Sequence, residues 1–366
     1  FKRMLSRKVG AAVSQAAGAG SAALNYGAGQ RESPLARARR FVFDAWLNFP
    51  DPQSRWYEPA VRAMVGRSAV KHPDVIWATG GPWTSLLVGK RLAQQWAVPF
   101  VADFRDPWKK NHNYPYGKIR RYFEEKLEKK IISNADILTT AAPVYTKKQG
   151  DFHKKTTVTI PNGFDPENLN NLPVSLIKKF TTTYAGTIYT GKQDPEKLFT
   201  ALKNLISQKI INPEDVEVRF YGSFQYWLEN EIINHNLTGV AKQYGRISRQ
   251  ESLQKQKESH LLLLLNWEDP KEKGVYPLKI FEYLSSQRPI FATGGFPKDD
   301  VEKVITETKA GIYVSTVEEI ENALAGFYKE YKDTGKVAFR GILEEINKYS
   351  YRAMAEKFAA VLNKIT

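Results

Sequence analysis

The chain has 366 residues, of which 42% are hydrophobic and 25% charged, and it carries a net charge of +15. This length predicts two or three domains with packed cores, and no stretch approaches the ~18 apolar residues that a membrane-spanning helix needs. The absence of cysteine excludes disulfides and thiolate metal sites, as is typical of a reducing compartment.

The excess of 54 Lys and Arg over 39 Asp and Glu favours an anionic partner or surface. Basic residues are concentrated in residues 1–71 and in residues 109–130, where aromatic residues lie between them. Phosphorylated substrates, anionic lipid and nucleic acid are all compatible with this charge. Nucleic acid is the weakest of these predictions, because no known reading module is recognisable. Any single lysine is better interpreted as part of a solvated helix face.

The first half of the chain begins with a basic, Ala- and Gly-rich segment over residues 1–43, which could be an arm or a weak amphipathic helix. From residue 44 to residue 170, short apolar strands alternate with helices. The strands are predicted at residues 74–79, 99–103, 135–140 and 158–160. This alternation predicts a parallel sheet with helices on both faces.

A second alternating series follows a linker that we place at residues 168–179, and it defines a domain over residues 171–345. Its strands are predicted at residues 180–185, 216–221, 240–244, 261–265, 289–293 and 312–314. Residues 346–366 should form a C-terminal helix that packs back on a domain. Two doubly wound α/β halves of this kind bind their ligand in a cleft that faces the carboxyl ends of the strands.

The segment 274–290, GVYPLKIFEYLSSQRPI, contains the most informative turn. Pro277 precedes a helix that opens at Leu278 and Lys279, and backbone N–H groups at such an end suit a diphosphate. Glu282, one turn into the helix, can accept hydrogen bonds from two ribose hydroxyls. The alternative is an ordinary proline-started amphipathic helix with an exposed glutamate, and periodicity alone favours that alternative.

Six segments together resemble glycosyltransferase family 4, which has the GT-B fold. They are PDVIWATGGPWTSLLVGKRLA, VPFVADFRDPW, ADILTT, TIPNGFDPE, YAGTIYTGKQDP and GVYPLKIFEYLSSQRPI, in the family's order and spacing. The resemblance covers most of residues 44–365. It implies two Rossmann-like domains facing a cleft and a nucleotide-sugar-dependent hexosyltransferase. It also implies retention of anomeric configuration, with no obligatory metal and no other cofactor.

In the donor half, the resemblance assigns roles to individual residues. Glu282 matches the second glutamate of the family's E-x7-E signature, which binds ribose, whereas Gly274 occupies the first position, where a glutamate would contact the donor sugar. Pro277, Leu278 and Lys279 then form the turn over the diphosphate.

The segment that follows Gly186 carries the second donor motif. The family's arginine position is Thr187, and Lys192 takes the lysine position. Lys192 is therefore the main candidate to stabilise the leaving β-phosphate, and also a catalytic candidate. Gly222, at the end of the strand predicted at residues 216–221, could flank the base.

In the acceptor half, Asp103, Arg105 and Asp106 follow a predicted strand and are catalytic candidates. One of Asp103 and Arg105 takes the place of the histidine found in many family members. An Asp–Arg pair that only stabilises the loop is an equal alternative. Trp108 is placed on the acceptor side.

Gly80 and Gly81 also belong to the acceptor side, where they would allow close approach of the backbone. Plain turn chemistry is the alternative for both glycines. The first β/α unit of the fold is not found before residue 40, so we expect it, and the initiator methionine, upstream of Phe1.

The sequence therefore predicts a cytoplasmic enzyme that moves a hexose from a nucleotide sugar to a glycan or lipid-linked acceptor, in cell-surface polysaccharide or glycoconjugate synthesis. Its basic half could bind peripherally to the inner face of an anionic membrane. The alternative is a non-catalytic GT-B homologue acting as a binding or scaffold protein, which the departures at Thr187 and Gly274 support.

Overall fold

The computed structural model describes residues 48–66, 72–108, 117–167 and 175–366. The predicted N-terminal segment, residues 1–43, lies outside these residues. So do residues 168–174 of the predicted linker. The chain divides into two compact units. The first contains the described residues up to Thr159 together with Ala360–Thr366, and the second is Ile160–Ala359. The boundary between the two units lies between Thr159 and Ile160, whereas the sequence predicted it after residue 170.

The first unit contains a four-stranded parallel sheet in the order β1-β2-β3-β4. Its strands are β1 (Ile76–Thr79), β2 (Phe100–Phe104), β3 (Ile137–Thr140) and β4 (Thr157–Thr159). Its helices are α1 (Tyr57–Val65), α2 (Thr84–Trp96), α3 (Lys118–Ile132) and α4 (Pro143–His153). The strands follow one another in chain order, as in one half of a doubly wound sheet.

The second unit contains a six-stranded parallel sheet in the order β10-β9-β8-β5-β6-β7. Its strands are β5 (Phe180–Ala185), β6 (Val216–Tyr221), β7 (Ala241–Gly245), β8 (Leu261–Leu265), β9 (Ile290–Thr293) and β10 (Gly311–Val314). The chain winds outwards from β5 to β7, returns to β8 beside β5, and then winds the other way. The sheet is therefore doubly wound, and its switch point lies between β5 and β8.

Strands β5 and β8 lie in the middle of this sheet, and their burial agrees with that position. The five leucines of β8 are all buried, as expected for a parallel strand covered on both faces. Strand β5 is also buried throughout although it contains three threonines. Two of their hydroxyls are satisfied in the interior: Thr183 bonds to the Ser259 hydroxyl at 2.6 Å and Thr181 to His260 Nδ1 at 3.1 Å.

The helices that lie wholly in the second unit are α5 (Glu196–Ser207), α6 (Tyr226–Asn234), α7 (Arg249–Lys257), α8 (Lys279–Ser286), α9 (Asp300–Thr308), α10 (Val317–Thr334) and α11 (Leu343–Asn347). Helix α12 (Tyr351–Asn363) begins in the second unit, ends in the first, and lies within the residues predicted for the C-terminal helix. Helix α8 begins at Lys279, where the turn at Pro277 predicted a helix start. Helix α10 was not predicted, although Thr316 and Glu319 form a capping box at its start. None of the described helices is both long and apolar enough to cross a membrane.

Candidate functional site

The carboxyl ends of β5 and β6 approach each other closely, next to the switch point. The Gly186 amide donates to the Tyr221 carbonyl at 2.6 Å, and a Cβ on Gly222 would lie 2.2 Å from the Gly186 oxygen. Gly222 is therefore needed because backbone passes directly over it. This contact explains why a glycine stands at position 222. Its predicted place beside a nucleotide base stays a prediction.

Lys279 lies against Gly186. A Cβ on Gly186 would lie 2.5 Å from Lys279 Cε and 2.8 Å from Nζ, so a side chain here would displace the end of this lysine. The backbone of Gly186 is also left-handed, with φ +133°. Lys279 Nζ lies 4.9 Å from the centroid of the Tyr184 ring, a cation–π contact. The buried Tyr283 hydroxyl accepts from the Ala185 amide at 3.1 Å and fixes α8 against the end of β5.

The charge of Lys279 is poorly compensated. Burial lowers its pKa to about 8, and the nearby Glu282 opposes this only in part. Among the described residues it forms no ion pair within 4.0 Å. The same end of α8 also lacks a side-chain cap, since its N-cap is Leu278. A helix start without a side-chain cap and a partly buried ammonium together favour an anion such as a diphosphate.

Lys192 has a different environment. Its Nζ forms an ion pair with Glu272 Oε1 at 3.1 Å, and Glu272 is buried. The Glu268 amide donates to the Lys192 carbonyl at 2.8 Å, which joins the loop after β5 to the loop after β8. Glu272 was not among the predicted residues. It precedes Gly274 by two positions, and only the fold brings it to Lys192.

Two glutamine side chains hold the loop after β5 in place. Gln193, which is buried, donates to the carbonyl of Leu265 at the end of β8 at 2.7 Å. Gln225 donates to the Ile188 carbonyl at 2.9 Å and accepts from the Thr190 hydroxyl at 3.1 Å. The loop is therefore bonded to neighbouring segments on both sides. Thr187, at the family's arginine position, is exposed within this loop.

Glu282 is partly buried on the first turn of α8. The buried Gln256 donates to Glu282 Oε1 at 2.5 Å and to the Ser252 hydroxyl at 3.2 Å. Oε2 has no hydrogen-bond partner among the described residues. One oxygen of the predicted ribose-binding carboxylate is thus held by the protein, and the other is available. Gly274 has a left-handed backbone, with φ +81°, in the turn before α8.

The first unit gathers polar side chains where β1, β2 and β3 end. Thr79, Asp103 and Thr139 are in register on the three strands. Asp103 is 1% exposed and accepts from the Thr139 hydroxyl at 2.7 Å and the Thr79 hydroxyl at 2.9 Å. Arg105 Nη1 lies 3.5 Å from Asp103 Oδ1. Burial raises the pKa of Asp103, although the arginine and both hydroxyls oppose the shift.

Asp106 is exposed, whereas Trp108 is 2% exposed. The Trp108 indole stacks on Trp83 with centroids 4.7 Å apart, and its Nε1 donates to Glu124 Oε2 at 3.0 Å. The structure therefore places Trp108 in the core rather than on a surface that an acceptor could contact. Its sequence position beside the Asp–Arg segment gave no sign of this burial.

The two glycines predicted on the acceptor side differ. A Cβ on Gly80 would lie 2.5 Å from the Trp83 ring, so Gly80 is required by core packing. Gly81 has φ +81° with open space around it, so a glycine is favoured here by the backbone conformation and not by packing. Gly81 fits the turn chemistry that was the alternative prediction, whereas Gly80 is explained by its packing against Trp83. The catalytic candidates Asp103, Arg105 and Asp106 belong to the first unit, and the donor residues to the second.

Two parallel α/β units in one chain, the second of them doubly wound, give the GT-B fold that the sequence predicted. No protein-family model and no curated protein matches this sequence. Solved structures do match.

One is sucrose-phosphate synthase from Thermosynechococcus elongatus, with a TM-score of 0.53 and 16% identity over 85% of this chain and 78% of that one. Another is Anabaena HepE in complex with UDP-glucose, with a TM-score of 0.59 and 14% identity over 87% and 84%. A third is an α,α-trehalose-phosphate synthase (UDP-forming) from Burkholderia vietnamiensis, with a TM-score of 0.56 and 12% identity over 92% and 78%. At these identities the likeness shows the fold.

Proposed function

We propose that the second unit binds a nucleotide-sugar and that the chain transfers its hexose to a glycan or lipid-linked acceptor. The observation that carries the proposal is Lys279: a partly buried lysine without an ion pair among the described residues, packed on Gly186 at an uncapped helix end. An internal cation without a carboxylate is costly. A diphosphate bound there would supply the missing negative charge.

Uridine diphosphate is the donor nucleotide that we propose to test first. HepE is described in complex with UDP-glucose, and the trehalose-phosphate synthase is described as UDP-forming. The available oxygen of Glu282 would accept a ribose hydroxyl, while Gln256 holds the other oxygen in place. The orientation of the carboxylate is thereby set before the donor binds.

For the reaction, we propose that lysines provide the charge that stabilises the departing diphosphate. Lys279 would contact the diphosphate, and Lys192 would add positive charge as the bond to the sugar breaks. This electrostatic role requires no metal. Retention of configuration, a role for Asp103 and Arg105, and synthesis of cell-surface polysaccharide or glycoconjugate are proposed from the family resemblance. The same holds for a cytoplasmic location.

A second candidate function is nucleotide-sugar binding without transfer. One observation favours it: the ion pair with Glu272 partly neutralises Lys192, the residue proposed to act on the leaving group. Thr187 and Gly274 add to it, because they stand where charged residues are typical of the family. Such a chain would act as a binding or scaffold protein.

The experiment measures binding of UDP, GDP and dTDP by calorimetry, and hydrolysis or transfer of the matching donor sugars. We expect one nucleotide to bind and its sugar to turn over. Lys192→Ala should reduce turnover more than nucleotide binding, and Glu282→Ala should weaken binding by about tenfold or more, the effect of losing a hydrogen bond to a charged group. Exposed Lys271→Ala is the matched control and should change neither.

Three outcomes separate the proposals. Turnover that is lost in Lys192→Ala but kept in Lys271→Ala supports the transferase. Binding that depends on Glu282 without any turnover supports the non-catalytic homologue. If none of the nucleotides binds, or if Glu282→Ala binds as tightly as the unchanged chain, the proposed donor site is wrong.

A further inference from the structure

Helix α3 directs two of its three glutamates into the protein. Glu124 is buried and accepts from Arg120 Nε at 2.6 Å as well as from the Trp108 indole. Glu128 is buried and lies 3.0 Å from His153 Nε2. These carboxylates therefore contribute no negative charge to the outer face of the helix. The sequence of α3, in which acidic and basic residues alternate, does not reveal this separation.

The outer face of α3 combines exposed apolar side chains with lysines. Ile119 is 68% exposed, Tyr122 53% and Phe123 47%. Positions three and four apart lie on one side of a helix, so these residues are neighbours. The exposed lysines of α3 are Lys118, Lys126, Lys129 and Lys130.

The lysines differ in their contacts. Lys126 Nζ lies 4.5 Å from the Tyr122 ring centroid. Lys129 pairs with Glu125 at 2.7 Å, and Glu125 is the remaining acidic side chain of α3. Net positive charge therefore stays on this face after the pairing.

We propose that this α3 face, made of Ile119, Tyr122, Phe123, Lys118 and Lys126, docks onto an anionic lipid surface. Apolar side chains can enter the boundary between headgroups and acyl chains, and lysine stems can lie along it with their ammonium groups at the phosphates. Charge complementarity favours lipid, since the whole chain carries +15 and the face itself is basic. The proposal does not depend on the donor site.

An aliphatic side chain also distinguishes lipid from nucleic acid as the occupant. Ile119 is the most exposed apolar residue of the face, and it offers a base neither a stacking ring nor a hydrogen bond. At a lipid surface the same side chain gains free energy from burial. A second copy of this chain is the other occupant that the experiment distinguishes.

The test is co-sedimentation of the full chain with vesicles of equimolar phosphatidylcholine and phosphatidylglycerol, and with vesicles of phosphatidylcholine alone. One variant is Ile119→Ser with Tyr122→Ser, and the other is Lys118→Gln with Lys126→Gln. Each lysine near an anionic surface contributes about a fivefold gain in binding constant, so the charge variant should bind ~30-fold more weakly. The apolar variant should lose about tenfold or more.

The matched controls carry the same kinds of change on exposed positions of the second unit. They are Ile233→Ser, whose isoleucine is 53% exposed, and Lys203→Gln with Lys329→Gln, whose lysines are exposed. Binding to anionic vesicles that falls with added salt, and that is lost in both α3 variants but kept in both controls, supports the proposal. Circular dichroism of each variant checks that the fold is kept.

Three results would overturn the proposal. The first is equal vesicle binding by the α3 variants and the unchanged chain. The second is the same loss in the control variants, because binding would then reflect net charge or general surface hydrophobicity and not the α3 face. The third is a concentration-dependent dimer in sedimentation velocity that Ile119→Ser with Tyr122→Ser abolishes, since the face would then be an interface between copies of the chain.

Discussion

Replacing Lys279 by methionine should stabilise the ligand-free protein and weaken binding of the nucleotide. Methionine keeps the length of the side chain beside Gly186 but removes the charge. The lysine is partly buried, and its pKa is lowered from 10.5 to about 8 because burial disfavours the ammonium form. The folded chain therefore bears a cost for a charge whose only function would be to meet a ligand.

The magnitude follows from the change in pKa. A shift from 10.5 to about 8 corresponds to about 3 kcal/mol of destabilisation at pH 7. Methionine also loses the contact of Nζ with the Tyr184 ring, which is worth about 0.5–1 kcal/mol. We therefore expect a net gain of about 2 kcal/mol in the free energy of unfolding.

The pH dependence has a definite sign. Because the pKa of Lys279 is lower in the folded chain than in the unfolded chain, the destabilisation is complete below about pH 8. It disappears as the pH rises towards 10.5. At about pH 10 it should be less than about 1 kcal/mol, so the advantage of Lys279→Met should vanish there.

Urea unfolding followed by circular dichroism at pH 7 and pH 10 measures this effect, and calorimetry with UDP measures the binding. Loss of a charge-assisted bond should weaken UDP binding by at least about tenfold. Lys273→Met is the matched control, because Lys273 is exposed and its Nζ lies 5.7 Å from the Phe296 ring centroid. A Lys279→Met protein that is less stable than the control at pH 7, or that binds UDP as tightly as the control does, would refute the reasoning.

Three further outcomes are expected. Trp108→Leu should cost about 3–4 kcal/mol in urea unfolding, since it removes a stacked ring and a hydrogen bond to a buried carboxylate. Gly186→Ala should weaken UDP binding in calorimetry about tenfold or more, because its Cβ would displace Lys279. Gly191→Ala is the control: Gly191 is also left-handed but lies in open space, so this change should lower the free energy of unfolding by only about 1 kcal/mol through backbone strain. Asp103→Asn should reduce turnover while leaving the calorimetric affinity for UDP unchanged, because Asp103 lies in the other unit.

Three strands of the second unit were predicted to the residue. Strands β5, β6 and β8 begin and end at the predicted residues. Only β8 is a continuous apolar run that is buried throughout, whereas β5 contains three threonines and β6 alternates between buried and partly buried residues. Helix α10 was overlooked although its signal is present: a capping box at Thr316 is followed by apolar residues at helical spacing. The doubly wound topology also followed from the alternation of elements.

The contacts of the site were less predictable, because they join residues far apart in the chain. The Lys192–Glu272 pair spans 80 positions. Trp108 looked like a surface aromatic beside charged residues, and only the packing against Trp83 shows its burial. Likewise the alternating charges of α3 indicate a solvated helix, until the fold turns Glu124 and Glu128 inwards. The local sequence pattern therefore predicts neither the contact partner of a side chain nor its burial.

The hydrogen bonds of the loop after β5 reduce the entropy that a donor would lose on binding, and so raise the affinity it could reach. Gln193 of the loop donates to the Leu265 carbonyl at the end of β8, and Gln225 at the start of α6 donates to the Ile188 carbonyl of the loop, so hydrogen bonds hold its backbone without a ligand. Ordering a side chain on binding costs about 0.5–1.5 kcal/mol, and a loop costs more. A donor that meets a fixed loop avoids most of this entropy loss. Replacing the buried Gln193 by alanine would release the loop from the end of β8 and restore this entropy cost, which would lower the affinity for a donor bound beside the loop.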